Sequence, residues 1–85
     1  MWIRSQDRNV LVNADKFSVS KEHEVFRIYY VNYFLGEYST EEKALKVMDM
    51  IEDRIRLSEM FKLHIYEPLN RTEQFVFQLP NDDDV

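Results

Sequence analysis

The segment YFLGEYSTEEKALKVMDMIEDRI, residues 33–55, decides the fold class because a strand pattern runs directly into a helix pattern. FLGEY has the aromatic and apolar composition of a β-strand. STEE has helix-capping spacing, and apolar residues at helical intervals follow it. The segment also contains Gly36, the only glycine of the chain. We therefore expect an α+β domain with a strand-to-helix junction near Ser39.

Gly36 interrupts the alternation of the predicted strand. Strict alternation places Leu35 and Tyr38 on opposite faces, although both have the character of core residues. A β-bulge at Gly36 adds one residue and brings both side chains to the same face. A phosphate-binding loop would need several glycines around a strand-to-helix turn. The sequence therefore predicts a bulge.

The predicted helix has one apolar stripe, formed by Ala44, Met48, Ile51 and Ile55. Ser39 is the expected N-cap in a capping box, and Thr40 is an alternative cap. The stripe would continue at Ser58 and Lys62, which are polar. We therefore expect the helix to end near Leu57.

The first half of the chain contains four further strand patterns: MWIRS, VLV, FSVS and VFRIYY. In MWIRS, Trp2 and Arg4 alternate with Ile3. In VFRIYY, one face carries Phe26, Ile28 and Tyr30, and the other carries Arg27 and Tyr29. Asn32 tolerates a left-handed backbone and is expected to close a hairpin with FLGEY.

The segment after the helix has two interpretations. MFKLHIYE alternates like a strand, which we favour, but an apolar edge at Met50, Leu57 and Phe61 suits a longer helix. QFVFQLP predicts a final strand, with Phe75, Phe77 and Leu79 on one face. The whole pattern predicts an antiparallel sheet of five or six strands with one amphipathic helix packed on one face.

The chain length of 85 residues predicts one domain, with the acidic residues 80–85 as a frayed tail. No cysteine is present, which excludes thiol chemistry. No apolar run approaches the ~20 residues of a membrane span. Arg4, Asp7 and Arg8 are atypical of a signal peptide, so we expect a cytoplasmic protein.

The net charge of −5 arises entirely in residues 41–85, since residues 1–40 carry five basic and five acidic side chains. A net negative domain lacks the long-range attraction to phosphate that nucleic-acid-binding proteins use. Nucleic acid is therefore the less favoured partner.

No catalytic, metal or cofactor site is predicted. His23 and His64 lack the spacing of a zinc site. Asp49, Glu52 and Asp53 have helical spacing suited to a hard cation, but a solvated helix face explains them more simply. We expect a chain without enzymatic activity.

Aromatic and basic side chains form the candidate interaction face: Trp2, Arg4, Arg27, Tyr29 and Tyr33. Tyr, Trp and Arg are enriched at protein-interface hot spots. Such a face also suits stacking of single-stranded nucleic acid, and a simple amphipathic outer sheet face is a third interpretation. A surplus of apolar helix residues predicts self-association as a homodimer: Met50, Leu57, Met60 and Phe61.

MWIRSQD at residues 1–7, LGEYSTEEKAL with IEDRI at residues 35–55, and FVFQLP at residues 75–80 together resemble a family of short proteins. Gram-positive bacteria and their prophages encode that family, whose function is unknown. The resemblance implies a mobile-element context and a strand-rich domain with one helix, and it assigns no functional residue. The predicted function is non-catalytic binding of a protein, either a host factor or a second copy. The specific form of this prediction is an acidic inhibitor or accessory protein encoded by a phage or prophage. Nucleic-acid binding is the alternative prediction.

Overall fold

A computed structural model describes residues 1–64 and 76–85, without the side chains of residues 58 and 60–64. Five strands precede the helix: β1 at Trp2–Arg4, β2 at Leu11–Asn13, β3 at Ser18–Glu22, β4 at Val25–Tyr30 and β5 at Tyr33–Tyr38. Helix α1 covers Glu41–His64, β6 covers Val76–Gln78, and a short 3-10 helix covers Asp82–Asp84. The α+β class is therefore confirmed.

The described strands form two three-stranded sheets, instead of the single sheet of five or six strands that the sequence predicts. The first sheet has the order β2-β1-β6, and the second has the order β3-β4-β5. The second sheet is antiparallel throughout. In the first, β1 pairs antiparallel with β2 but parallel with β6.

Gln6 links the two sheets through hydrogen bonds. Its backbone N–H donates to the Leu35 carbonyl oxygen at 2.7 Å, and its side-chain amide exchanges two hydrogen bonds with the backbone of Glu37 at 3.0 and 3.1 Å. The chain then turns away because Asp7 accepts hydrogen bonds from Ser5 Oγ and from the Asn9 N–H. The residue after the end of β1 is therefore hydrogen-bonded to β5, while the ladders of the two sheets remain separate.

The predicted bulge is confirmed, one residue earlier than expected. Ile28 pairs with Gly36 and Tyr29 pairs with Phe34, so Leu35 is the extra residue. Leu35 and Tyr38 are consequently both buried.

The turn between β4 and β5 differs from the prediction. Val31, and not Asn32, has the left-handed φ, at 57°. A β-branched residue is strained in this conformation.

Helix α1 begins at the alternative cap and is longer than expected. Thr40 Oγ1 accepts the Lys43 N–H at 3.1 Å, so Thr40 is the N-cap. The prediction of an end near Leu57 was wrong, since helical backbone continues to His64. Of the two interpretations of MFKLH, the favoured strand was therefore wrong and the longer helix is confirmed as far as His64. The rest of that predicted strand and Phe75 lie outside the described residues.

The core lies between α1 and the inner faces of the two sheets. Its fully buried members come from every layer: Ile3, Ile28, Leu35, Tyr38, Ala44, Val47, Ile51, Phe77 and Leu79. Met48 and Ile55 pack at its margin. The predicted inward stripe of the helix is therefore confirmed, as is the final strand with Phe77 and Leu79 inside. Ser58 and Lys62, the polar positions at which the stripe was expected to stop, have side chains outside the description.

The acidic end of the chain is docked, whereas the sequence predicted a frayed tail. Ser39 donates its backbone N–H and its hydroxyl to Asp82 Oδ1 at 2.8 and 3.2 Å. These hydrogen bonds, the backbone one foremost, lower the pKa of Asp82. Lys43 Nζ adds a hydrogen bond to the Asp82 carbonyl oxygen at 2.9 Å. The segment is thereby fixed against the start of α1.

Candidate functional site: a hairpin surface and an acidic cleft

Apolar side chains project into solvent at the turn end of the β4–β5 hairpin. Val31 is 75% exposed, Tyr33 is 54% exposed and Phe34 is 43% exposed. We call these three residues, together with Tyr29, the hairpin surface. The Tyr29 and Phe34 rings pack edge to face with centroids 6.0 Å apart. The exposed rings are therefore held in defined positions by their cross-strand neighbours.

A charged network occupies the outer face of the same sheet. Arg27 bonds Glu37 Oε1 through Nε and Glu22 Oε1 through Nη1, both at 3.1 Å. The Tyr29 hydroxyl donates to Glu22 Oε2 at 2.6 Å, and this hydrogen bond raises the pKa of Tyr29. Two carboxylates thus surround one guanidinium, so this face carries net negative charge where the nucleic-acid hypothesis needs positive charge.

The structure brings together only part of the predicted interaction face. Arg27 and Tyr29 share the outer face of the second sheet. Tyr33 lies opposite Tyr30 on the other face, where the two rings stack at 6.3 Å. Trp2 and Arg4 are exposed on β1, in the first sheet. The sequence therefore predicted the alternation of β1 and β4, but it placed Tyr33 on the wrong face and did not predict the division into two sheets.

An open cleft of about 330 Å³ lies between the β2–β3 connection and the middle of α1. Its apolar lining consists of Phe17, Met48, Ile51 and Ile55, and its acidic lining consists of Asp15, Asp49 and Glu52. We call it the acidic cleft. The Phe17 ring lies 6.5 Å from the Tyr30 ring, which stacks on Tyr33. A row of aromatic rings therefore connects the cleft to the hairpin surface.

The carboxylates of the cleft are unevenly neutralised. Glu52 approaches Arg56 at 3.8 Å, between two mostly exposed side chains. Within residues 1–64 and 76–85, the side chains of Asp15 and Asp49 make no hydrogen bond or ion pair. Among the side chains that the structure describes, none that lines the cleft is basic. In the same part of the chain, no group of three or more His, Cys, Asp or Glu side chains is placed to hold a metal ion.

The predicted self-association surface is described in part. Met50 is 37% exposed and Leu57 is 48% exposed. Seven residues separate them, so they lie on one side of the helix, two turns apart. Met60 and Phe61 belong to α1, and their side chains lie outside the description.

Sequence reasoning missed Val31, Phe34 and Asp15. The run YYVNYF contains only one polar residue in six, and that run could have indicated an exposed apolar turn. No local signal indicates Asp15, because only tertiary packing brings its loop beside the helix. The predicted acidic set is also divided, since Asp49 and Glu52 line the cleft while Asp53 pairs with Arg56 at 3.6 Å.

Across the residues that the structure describes, no helix has both the length and the apolar character needed to cross a membrane. Comparisons with models of known protein families, with curated proteins and with solved structures find no match to this chain.

Proposed function

We propose that the chain is a non-catalytic protein-binding module that contacts its partner through the hairpin surface. The single observation that carries this proposal is the exposure of Val31, Tyr33 and Phe34 at the turn end of the β4–β5 hairpin, with Tyr33 and Phe34 on opposite faces of it. Isolated exposed apolar residues are ordinary on protein surfaces, whereas several of them at the tip of one hairpin favour an interaction site. Tyrosine is also among the residues that contribute most to binding energy at interfaces.

Ring packing supports the proposal because it lowers the entropic cost of binding. Tyr33 already stacks on Tyr30, and Phe34 already packs against Tyr29. Side chains that are ordered before association lose less rotamer freedom on binding.

The net charge of −5 favours a partner with a basic surface, as an inhibitor or accessory protein would require. Affinity for such a partner falls as salt increases.

The experiment compares the proteins that the wild-type chain, a hairpin variant and a control variant capture from a lysate of the cell that encodes the chain. Val31→Ser combined with Tyr33→Ser removes apolar contacts at two exposed positions, so the thermal midpoint should change little. Leu11→Ser is the matched control, because Leu11 is 48% exposed on β2, in the other sheet. We expect one protein to be retained by the wild type and the control and lost by the hairpin variant. Equal retention by all three would refute the hairpin surface as the binding site.

Self-association through α1 is a second candidate, favoured by the exposure of Met50 and Leu57 on one side of the helix. Pairing the two helices across a two-fold axis would cover both residues. Light scattering at micromolar concentration should give a dimer mass for the wild type and a monomer mass for Leu57→Glu. A monomer mass for the wild type would contradict this candidate.

A further inference from the structure

We propose that the acidic cleft binds an arginine or lysine side chain presented by a partner protein. This inference deepens the proposed function, on which it rests, by naming the chemistry of the partner. Phe17, Met48 and Ile55 belong to the apolar part of the lining, and Asp15 and Asp49 belong to the acidic part, without an ion pair to any described residue. A long basic side chain matches both, because its methylene stem packs on apolar surface while its charged head reaches carboxylates.

Size favours a single side chain as the occupant. The volume of about 330 Å³ lies at the lower limit of ligand clefts, which range from about 300 to 1,000 Å³. The cleft is also open to one side, so a side chain can enter while its backbone remains on the surface. The row of rings from Phe17 through Tyr30 to Tyr33 then continues the contact toward the hairpin surface.

Charge complementarity indicates that the occupant of the cleft carries a positive charge. Among the described residues, three carboxylates and no basic side chain line the cleft, and the side chains of Asp15 and Asp49 have no partner there. These carboxylates do not belong to any described group placed to hold a metal ion. A guanidinium or ammonium on a flexible stem reaches separated carboxylates without requiring them to converge.

The test is an NMR titration of the ¹⁵N-labelled chain at low salt with the tripeptide acetyl-Leu-Arg-Leu-amide. The matched probe contains citrulline, which keeps the shape of arginine but lacks its charge. We expect the arginine peptide to shift the amide signals of Phe17, Asp49 and Glu52, and we expect at least tenfold weaker binding of the citrulline peptide. Equal binding of the two peptides, or shifts confined to other residues, would overturn the proposal.

Two variants with the same net charge distinguish binding at the cleft from attraction to the overall negative charge of the chain. Asp49→Asn should weaken binding of the arginine peptide at least fivefold. Asp53→Asn removes the same charge on the same helix, from a carboxylate that pairs with Arg56 and does not line the cleft, and it should weaken binding less than twofold. Equal losses in the two variants would show non-specific attraction and refute the cleft site.

A third variant makes the failure of this inference distinguishable from failure of the proposed function. Val31→Ser combined with Tyr33→Ser should leave binding of the arginine peptide unchanged, because neither residue lines the cleft. Peptide binding with no hairpin-dependent protein capture would refute only the hairpin surface. Hairpin-dependent capture with no peptide binding would refute only the cleft.

Discussion

Gly36 offers a direct test of the packing between the two sheets, through replacement by Ala and by Val. Its φ is not positive, so an L-residue adopts the same backbone without strain. A Cβ atom would lie 3.4 Å from Gln6 Cβ and 3.4 Å from Tyr38 Cε2, which is van der Waals contact without a clash. Gly36→Ala should therefore stabilise the fold by about 0.4–1 kcal/mol, because alanine lowers the entropy of the unfolded chain.

Valine at the same position has two methyl groups more than alanine, and the neighbouring side chains have no room to move away. Gln6 is held by its hydrogen bonds to Leu35 and Glu37, and Tyr38 is fully buried. Overpacking of this kind costs about 1–3 kcal/mol. Gly36→Val should therefore be destabilised, in the opposite direction to Gly36→Ala.

Thermal unfolding followed by circular dichroism measures both variants. For a chain of this size, 1 kcal/mol corresponds to a shift of about 4–8 °C in Tm. We expect Gly36→Ala to melt roughly 2–8 °C higher and Gly36→Val to melt at least about 4 °C lower. A lower Tm for the alanine variant would show that the site needs glycine for its backbone conformation. A wild-type Tm for the valine variant would show that Gln6 and Tyr38 are not tightly packed there.

Three further predictions concern the segment around the start of α1. Thr40→Ala should cost about 1 kcal/mol in the free energy of unfolding, because the Lys43 N–H loses its cap; urea denaturation measures this. Tyr38→Phe should cost about 0.5–1.5 kcal/mol in the same assay, since its hydroxyl donates to the Pro80 carbonyl oxygen at 2.7 Å. Asp82→Asn should melt below the wild type at pH 7. Because the pKa of Asp82 is lowered in the folded state, its contribution is complete above the ordinary value of 3.8 and disappears as the pH falls through the lowered value. The two melting curves should therefore converge at low pH, and a gap that persists there would contradict the assignment.

The local sequence pattern predicted those elements in which the spacing of apolar residues indicates which side chains are buried. Alternation placed Ile3 and Ile28 inside and Trp2 outside, since period-two side chains must face opposite ways in any strand. Helical spacing placed Ala44 and Ile51 in the core for the same reason. The bulge was also predictable, because Leu35 and Tyr38 both required burial.

The candidate site was predictable only in part. Tyr29 and Tyr33 were identified as exposed aromatic residues from their strand positions, but their opposite faces depend on the register around the bulge. The acidic cleft could not be predicted, because Asp15 and Asp49 are far apart in the chain and share a cleft only after the β2–β3 connection packs beside α1. Burial stripes also indicated the wrong end for the helix, since they mark where a helix leaves the core and not where its backbone stops.

The sequence by itself determined the α+β class, the faces of β1 and β4 and the inward stripe of the helix, because side-chain periodicity is set by local backbone geometry. Only the tertiary structure decided that the strands divide into two sheets at Gln6, that β6 runs parallel to β1, and that Asp82 anchors the chain end to Ser39. Each of these depends on hydrogen bonds between residues distant in sequence. A polar residue such as Gln6 or Asp82 looks the same in sequence whether water or a remote backbone amide satisfies it.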